Sequence, residues 1–281
     1  MPTPAGARPE RKWGHAVKII KTLSLVLFAL AVAMPAAAQP HRLYDKDVKQ
    51  LLDQAKQTYE RFWDALDNQL KNTTFKGPSG EFVAKKIDED YRKVIDSARE
   101  RFNDSYSAST EVSAILRDAV RPKNLVDQKG PGMKGASEWQ AHATILDQLA
   151  REYGGTFPPA ESQGLRRYND KEVIAATTAI EQSSKQLASA IENALKKDKA
   201  TPEATRKSMV ADVKQVGETA KLLGSAMKDA KPATAQVTML GDQLKKLQTA
   251  IGASSAGNAL MGQVGSFNAP LATIRTAFHL Q

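Results

Sequence analysis

Residues 44–71, YDKDVKQLLDQAKQTYERFWDALDNQLK, decide the fold class of this chain. Large or apolar side chains recur along the stretch in steps of four and three residues. That spacing places them on one face of a helix of about seven turns. Asp45 stands before the periodic positions and is expected to cap the helix at its N-terminus. The repeating positions are Val48, Leu52, Ala55, Tyr59, Phe62, Leu66 and Leu70.

Three more helices are predicted before residue 155, at residues 81–102, 109–120 and 136–153. In each of them the apolar residues follow helical spacing along one face. Two connecting stretches, 72–80 and 121–135, contain Gly, Pro and Lys and are predicted as long loops. These four helices make up a first predicted unit.

The pattern starts again 125 residues later. Residues 167–173, RYNDKEV, match residues 42–48, RLYDKDV, and nine of the 30 pairs from Arg42 to Lys71 are identical at this offset. Farther along, only the apolar pattern is shared. We therefore predict an all-α protein with an internal duplication. Its two tandem antiparallel four-helix units are residues 39–155 and 167–281, joined by a linker at 156–166.

Residues 1–38 have the layout of a secretory signal peptide. A basic segment ending at Lys21 precedes the apolar run 22–34, and Pro35-Ala36-Ala37-Ala38 offers a cleavage pattern of small residues. Gln39 is then the expected first mature residue. The alternative is an uncleaved anchor, but the apolar run is shorter than the roughly 20 residues of a spanning helix. We expect export to the periplasm or beyond, with no stable membrane span after cleavage.

The composition indicates which partners are not expected and which interactions must stabilise the fold. Residues 1–38 carry five basic residues and one acidic residue, so their removal lowers the formal charge from +9 to +5. The remaining basic residues do not form a cluster interleaved with aromatics, and no nucleic-acid partner is expected. The chain has no Cys. Apolar burial rather than disulfides must therefore stabilise the exported protein.

The sequence contains no pattern typical of catalysis or of cofactor binding. Neither a nucleophile elbow nor a P-loop is present. Glu138 and His142 are four residues apart, whereas di-metal helical bundles use Glu-x-x-His. An exposed ion pair between these two side chains is predicted instead of a metal site. We predict no catalytic, cofactor-binding or metal-binding residues, and the chain is not expected to be an enzyme.

Two tryptophans are the candidate partner-binding residues. Trp139 begins the fourth helix directly after the 121–135 loop, and Trp63 lies beside the apolar face of the first helix. Aromatic side chains at such edges are common anchors for partners. One interpretation is a groove framed by the 72–80 and 121–135 loops, with both rings at its base. In the other, both tryptophans cap the core under the longer loop.

Four motifs resemble those of a family of exported, all-helical bacterial proteins. They are Tyr44-Asp45-Lys46-Asp47-Val48, Lys76-Gly77-Pro78-Ser79-Gly80-Glu81, Lys134-Gly135-Ala136-Ser137-Glu138-Trp139 and Gly155-Thr156-Phe157-Pro158. The resemblance covers nearly the whole mature chain. It implies a bacterial source and an envelope setting, and it carries neither an assigned function nor functional residues.

Together these features predict an exported helical-bundle protein of the cell envelope. We expect it to bind or scaffold an envelope protein or polymer. The alternative is a periplasmic chaperone-like protein or a binder of anionic polymers, which long amphipathic helices and a positive charge would suit. Three basic clusters bear on that alternative, at Arg166-Arg167, at Lys196, Lys197 and Lys199, and at Lys245-Lys246. The first two flank opposite ends of one predicted helix, roughly 45 Å apart, and are not expected to act as one patch.

Overall fold

Helices account for nearly all of the regular structure in the described part of the chain. The computed structural model describes residues 42–77, 80–160, 164–196 and 201–280. The expected signal peptide, residues 1–38, and the expected first mature residue, Gln39, lie outside these ranges.

Helices and one β-hairpin follow one another along the chain. In the first half these are α1 (Asp45–Ala65), α2 (Asn68–Lys71), β1 (Thr74–Gly77), β2 (Gly80–Val83), α3 (Ala84–Arg101), α4 (Ser109–Asp118), α5 (Val120–Lys129) and α6 (Ala136–Glu152). The second half contains α7 (Asp170–Lys196), α8 (Glu203–Lys228), α9 (Thr234–Gly252), α10 (Gly257–Gly265) and α11 (Asn268–Ala277). The all-α prediction is confirmed, with the short hairpin as an addition.

Each half has its own hydrophobic core. The apolar face predicted for the first helix is buried in the first core, where Val48, Leu52 and Phe62 are at most 1% exposed. α7 contributes the equivalent face to the second core. Tyr44 precedes α1 in sequence but packs in the second core, and its hydroxyl donates a hydrogen bond to the carbonyl of Lys231. The start of the first half therefore completes the core of the second.

The stretch 72–80, predicted as a loop, contains most of a β-hairpin. β1 and β2 pair antiparallel, with Thr74 opposite Val83. The sequences TFKG and GEFV contain the β-branched and aromatic residues that favour strands. Because the hairpin occupies these residues, α3 begins at Ala84 rather than at Glu81.

The predicted 121–135 loop is also largely helical, because α5 occupies most of it. Pro122 favours a loop in the sequence, yet it is the third residue of α5. The N–H groups of a helix's first turn have no acceptor within the helix, so a proline there removes no hydrogen bond. Gly130, with φ at +80°, follows the end of α5. Only a short turn then separates α5 from α6.

Two Arg–Asp ion pairs cross between the halves and are related by the 125-residue offset. Arg42 pairs with Asp170, and Arg167 pairs with Asp45. The carboxylate of Asp45 also accepts a hydrogen bond from the backbone N–H of Asp170 at 2.9 Å. The carboxylate of Asp170 likewise accepts one from the backbone N–H of Asp45 at 2.9 Å. We call these four residues the Arg–Asp clasp.

The clasp corrects the expected role of Asp45. This residue is the first of α1 rather than the residue before it, and its carboxylate lies at the N-terminus of α7. Asp170 has the reciprocal position at the N-terminus of α1. A negative charge is favourable at the positive end of a helix dipole. Each aspartate therefore stabilises the first helix of the other half.

The last helices of the two halves end in the same way. The residue after the cap has a positive φ in both, +74° at Gly154 and +54° at His279. The next backbone N–H returns to a carbonyl five residues earlier, from Gly155 to Ala150 at 2.8 Å and from Leu280 to Arg275 at 2.9 Å. These are Schellman-type helix ends. Each residue of the first helix end has its counterpart in the second 125 positions later in the chain.

Candidate functional site

A groove lies between α5 and α6 in the first half. Its volume is about 680 Å³, and Phe157 and Pro158, from the irregular segment after α6, add to its wall. Val126 and Ala143 line it from the two helices, and Trp139 lines its floor. The groove thus combines an apolar interior with a polar margin. Its polar side chains are Lys123, Asp127, Gln140, Thr144 and Asp147.

Trp139 belongs both to this groove and to the first core. Its side chain is nearly buried, at 4% exposed. The indole packs edge-on against Phe62, with ring centroids 5.2 Å apart, and its centroid is 5.4 Å from that of His142. Most of the indole surface therefore contributes to packing, and only an edge reaches the groove.

Trp63 does not join Trp139 in the groove. It is half-buried against the first core, and the Nζ atom of Lys71 lies 5.8 Å from its ring centroid. Neither Trp63 nor the hairpin is among the groove's described lining residues. The structure therefore brings one of the two candidate tryptophans to the groove, and the helix α5 frames it instead of two loops.

His142 is fully buried, so the predicted exposed ion pair with Glu138 is wrong. Its Nδ1 atom lies 2.9 Å from the hydroxyl of Thr58, and its Nε2 atom lies 2.9 Å from the hydroxyl of Tyr91. Burial lowers the pKa of His142 to about 3. The imidazole is therefore neutral at physiological pH and bonded through both nitrogens.

What we call the histidine cluster consists of four side chains, those of His142, Thr58, Tyr59 and Tyr91. Asp88 connects this cluster to the surface of α3. Its carboxylate accepts a hydrogen bond from Arg92 Nε at 2.6 Å, and the two residues form an i,i+4 ion pair within α3. Burial raises the pKa of Asp88, while hydrogen bonds from Arg92 and Tyr59 act in the opposite direction. Tyr59 in turn packs edge-on against Tyr91, with centroids 4.5 Å apart.

The histidine cluster could have been found from the spacing within α6. His142 lies three residues after Trp139 and four before Leu146, so all three share one helix face. The same cluster does not recur in the second half, where Phe267 occupies the position equivalent to His142. Because His142 is 0% exposed, the cluster specifies core packing and is closed to solutes.

The predicted basic clusters have different surroundings in the structure. Arg167 is 5% exposed within the clasp, and Lys246 pairs with Asp212, so neither is a free surface cation. Lys197 and Lys199 lie outside the described residues. Lys196 lines a cleft of about 490 Å³ between α7 and α8, where the other charged residues are Glu192, Arg206, Lys207 and Lys214.

The described ranges offer neither a metal cluster nor a membrane-spanning helix. These residues contain no group of three or more His, Asp or Glu side chains that could hold a metal ion. None of the helices described is both long and apolar enough to cross a membrane. Comparisons with family models, with curated proteins and with solved structures give no match for this chain.

Proposed function

We propose that this chain is an exported protein of the bacterial cell envelope that binds or scaffolds a partner and does not catalyse a reaction. We place partner binding in the α5–α6 groove. The observation that carries this proposal is the groove itself, about 680 Å³ in volume, with Phe157 and part of Trp139 in its lining and charged side chains of both signs beside them. Binding pockets in proteins commonly combine an apolar interior with a few polar groups.

The occupant that suits this groove is an extended segment of an envelope protein. Aromatic-lined grooves bind extended peptides, whose backbone groups need hydrogen-bonding partners. Gln140 offers a side-chain amide along α6, and the hydroxyl oxygen of Thr144, which donates to the Gln140 backbone carbonyl, can still accept a hydrogen bond. Lys123 and Asp147 are paired with Asp127 and Arg151 on their own helices. Such solvent-accessible pairs contribute little stability, so they can be exchanged for charges on a ligand. The margin therefore suits a polar backbone that carries apolar side chains.

Site-specific crosslinking tests this proposal, because the chain has no Cys of its own. Gln140→Cys introduces a thiol at the groove margin, where a photo-crosslinker can be attached. Gln186→Cys is the matched control, since Gln186 is exposed on α7 outside the groove. We expect an envelope protein to crosslink to the first variant and not to the control.

A groove-filling substitution tests whether the crosslink depends on an open groove. Ala143→Phe, added to the Gln140→Cys chain, fills the groove and should abolish the crosslink. A crosslink that persists after filling, or one that the Gln186→Cys control also gives, would exclude the groove as the binding site.

Export is the second part of the proposal, and the basic, apolar and small-residue order of residues 18–38 supports it. N-terminal sequencing of the product from the periplasmic fraction should begin at Gln39. Recovery of an intact chain from the membrane pellet would indicate an anchor instead.

We also infer that the halves arose by duplication. Support comes from the nine identities in 30 pairs and from the clasp and helix ends that the same offset relates. Residues 165–281 alone should then give a helical circular dichroism spectrum and a cooperative melt. The melting temperature should be lower than that of the full chain, because the fragment lacks Tyr44. An unfolded fragment would contradict two separate units.

A second candidate function is the binding of anionic polymers at the α7–α8 cleft. Four basic side chains and one acidic side chain line this cleft. Retention on immobilised polyphosphate should fall with rising salt, because ions screen such attraction. Lys196→Ala with Lys214→Ala should lower retention more than Lys185→Ala with Lys221→Ala. Equal losses of retention in the two double variants would show that retention depends on net charge and not on the cleft.

A further inference from the structure

A separate cleft opens in the second half, between α9 and the last two helices. Its volume is about 500 Å³. We infer that this cleft binds a small amphipathic anion, meaning a molecule with an apolar body and a carboxylate or phosphate head. The inference does not rest on the proposed α5–α6 site, which lies in the other half.

A glycine lines the cleft at the position where the first half has a core leucine. Gly241 lines the cleft, and a Cβ atom added to it would meet no other atom within 4 Å. At the equivalent position of the first half, Leu116 is fully buried. Glycine within a helix is less favourable than other ordinary residues. Gly241 therefore leaves open, at a cost to helix stability, a space that the first half fills.

A second replacement enlarges the same space. Val264 lines the cleft where the first half has Trp139. Valine is much smaller than tryptophan, so the volume of an indole is also missing here. Phe267 and Val264 are only 2% and 5% exposed. The partly exposed Leu271 and Leu280 therefore give the cleft most of its apolar surface. Polar side chains line the rest of the cleft, at Thr238, Gln248 and Asn268. The apolar surface favours the apolar body of a ligand, because burial removes that body from water, and the polar side chains favour its head group.

Two cations at the edge of this apolar surface select the charge of the ligand. Arg275 is half-buried and Lys245 is exposed, and both line the cleft. Among the described residues neither cation pairs with a carboxylate. Within the described lining, Asp242 is the one acidic side chain, and together with the two cations it gives a net positive charge. A carboxylate or phosphate head would meet that charge, and a guanidinium can bind either group through two parallel hydrogen bonds.

Helix electrostatics alone do not explain this arrangement. A cation in the last turn of a helix is favourable, which accounts for the presence of Arg275 at the end of α11. It does not account for a lysine from the middle of α9 that lines the same cleft. The size of the cleft, about 500 Å³, is within the range of small-molecule sites. A small amphiphile therefore suits it better than a polymer does.

Calorimetric titration of the mature chain with three ten-carbon probes tests the inference. Decanoate and decyl phosphate have anionic heads, and decanol has the same apolar body without a charge. We expect at least one anion to bind about tenfold or more tightly than decanol. The tighter of the two anions identifies the preferred head group. Equal binding of all three probes, or no saturable binding of either anion, would overturn the inference.

Three variants locate the binding within the cleft. Gly241→Leu restores the leucine found in the first half and should weaken anion binding at least about tenfold. Gly262→Leu is the matched control, because Gly262 also faces open space on a helix but does not line the cleft. Arg275→Gln should weaken the binding of both anions and leave decanol unchanged. Wild-type affinity in Gly241→Leu would place the ligand elsewhere.

Discussion

His142 makes the stability of this protein depend on pH. In the unfolded chain a histidine takes up a proton near pH 6.5, whereas burial holds the folded pKa of His142 at about 3. The unfolded state therefore binds more protons between these two values. The contribution of His142 to stability is complete above pH 6.5 and falls as the pH drops towards 3.

We expect His142→Phe to remove this dependence, since phenylalanine occupies the equivalent position 267. Between pH 7 and pH 5, the free energy of unfolding of the wild type should fall by about 2 kcal/mol more than that of the variant. Urea denaturation at each pH measures the difference. Parallel pH profiles would show that His142 is not buried as a neutral side chain.

The two tryptophans should differ in their contribution to stability. Trp139→Ala removes a side chain that is 4% exposed, and we expect a loss of about 3–5 kcal/mol in the free energy of unfolding. Trp63 is only half-buried, so Trp63→Ala should cost clearly less. Chemical denaturation of both variants gives the comparison. Equal losses would contradict the distinction between a core ring and a peripheral one.

At the scale of the element, sequence periodicity predicts the long helices well and the connections poorly. The face of α1 that contains Val48, Leu52 and Phe62 is buried as expected, because one periodic face must be removed from water. The hairpin and α5 were predicted as loops. Pro122, Gly77 and Gly80 are compatible both with a loop and with regular secondary structure. Packing against the rest of the fold determines which of the two forms.

α7 and α8 approach closely where glycine faces a small side chain. A Cβ atom on Gly217 would lie 3.2 Å from Ser184 Cβ, and one on Gly224 would lie 2.7 Å from Thr177 Oγ1. In the first half, Arg92 and Tyr59 occupy the positions equivalent to Gly217 and Ser184. The helix pair α1–α3 and the helix pair α7–α8 therefore pack differently, which their shared apolar pattern does not reveal.

This close approach makes Gly224 intolerant of a methyl group. Gly224→Ala should lower the free energy of unfolding by about 1–3 kcal/mol, because Thr177 must move. Gly262→Ala faces open space in α10 and should instead stabilise by up to about 1 kcal/mol. Thermal melts compare the two. Adding Thr177→Ala to Gly224→Ala should recover part of the loss, and a lack of recovery would contradict this contact.

At the scale of the whole molecule, the sequence shows the 125-residue offset but not the way the two halves join. The 125-residue offset is visible in residues 42–48 and 167–173. The clasp is not, because Arg167 beside Arg166 resembles an exposed basic pair, and only the tertiary structure brings Asp45 to it. The sequence offers a groove near Trp139 as one of two interpretations, but frames it by two loops and includes Trp63. The α5–α6 groove and the second cleft depend instead on packing between elements.

The clasp should hold the halves together after the chain between them is cut. A protease site inserted at Ser162 allows cleavage of the folded chain, and we expect the two fragments to elute together. Asp45→Asn with Asp170→Asn should separate them, since each change leaves a buried arginine without its ion pair at a cost of about 3–5 kcal/mol. Asp104→Asn is the matched control, because the exposed pair between Asp104 and Lys171 also joins the halves. Exposed pairs contribute little, so this control should still elute as one species. Separation in the control would show that the clasp is not sufficient to hold the fragments together. Continued association without both clasp aspartates would show that apolar contacts such as that of Tyr44 govern the junction instead.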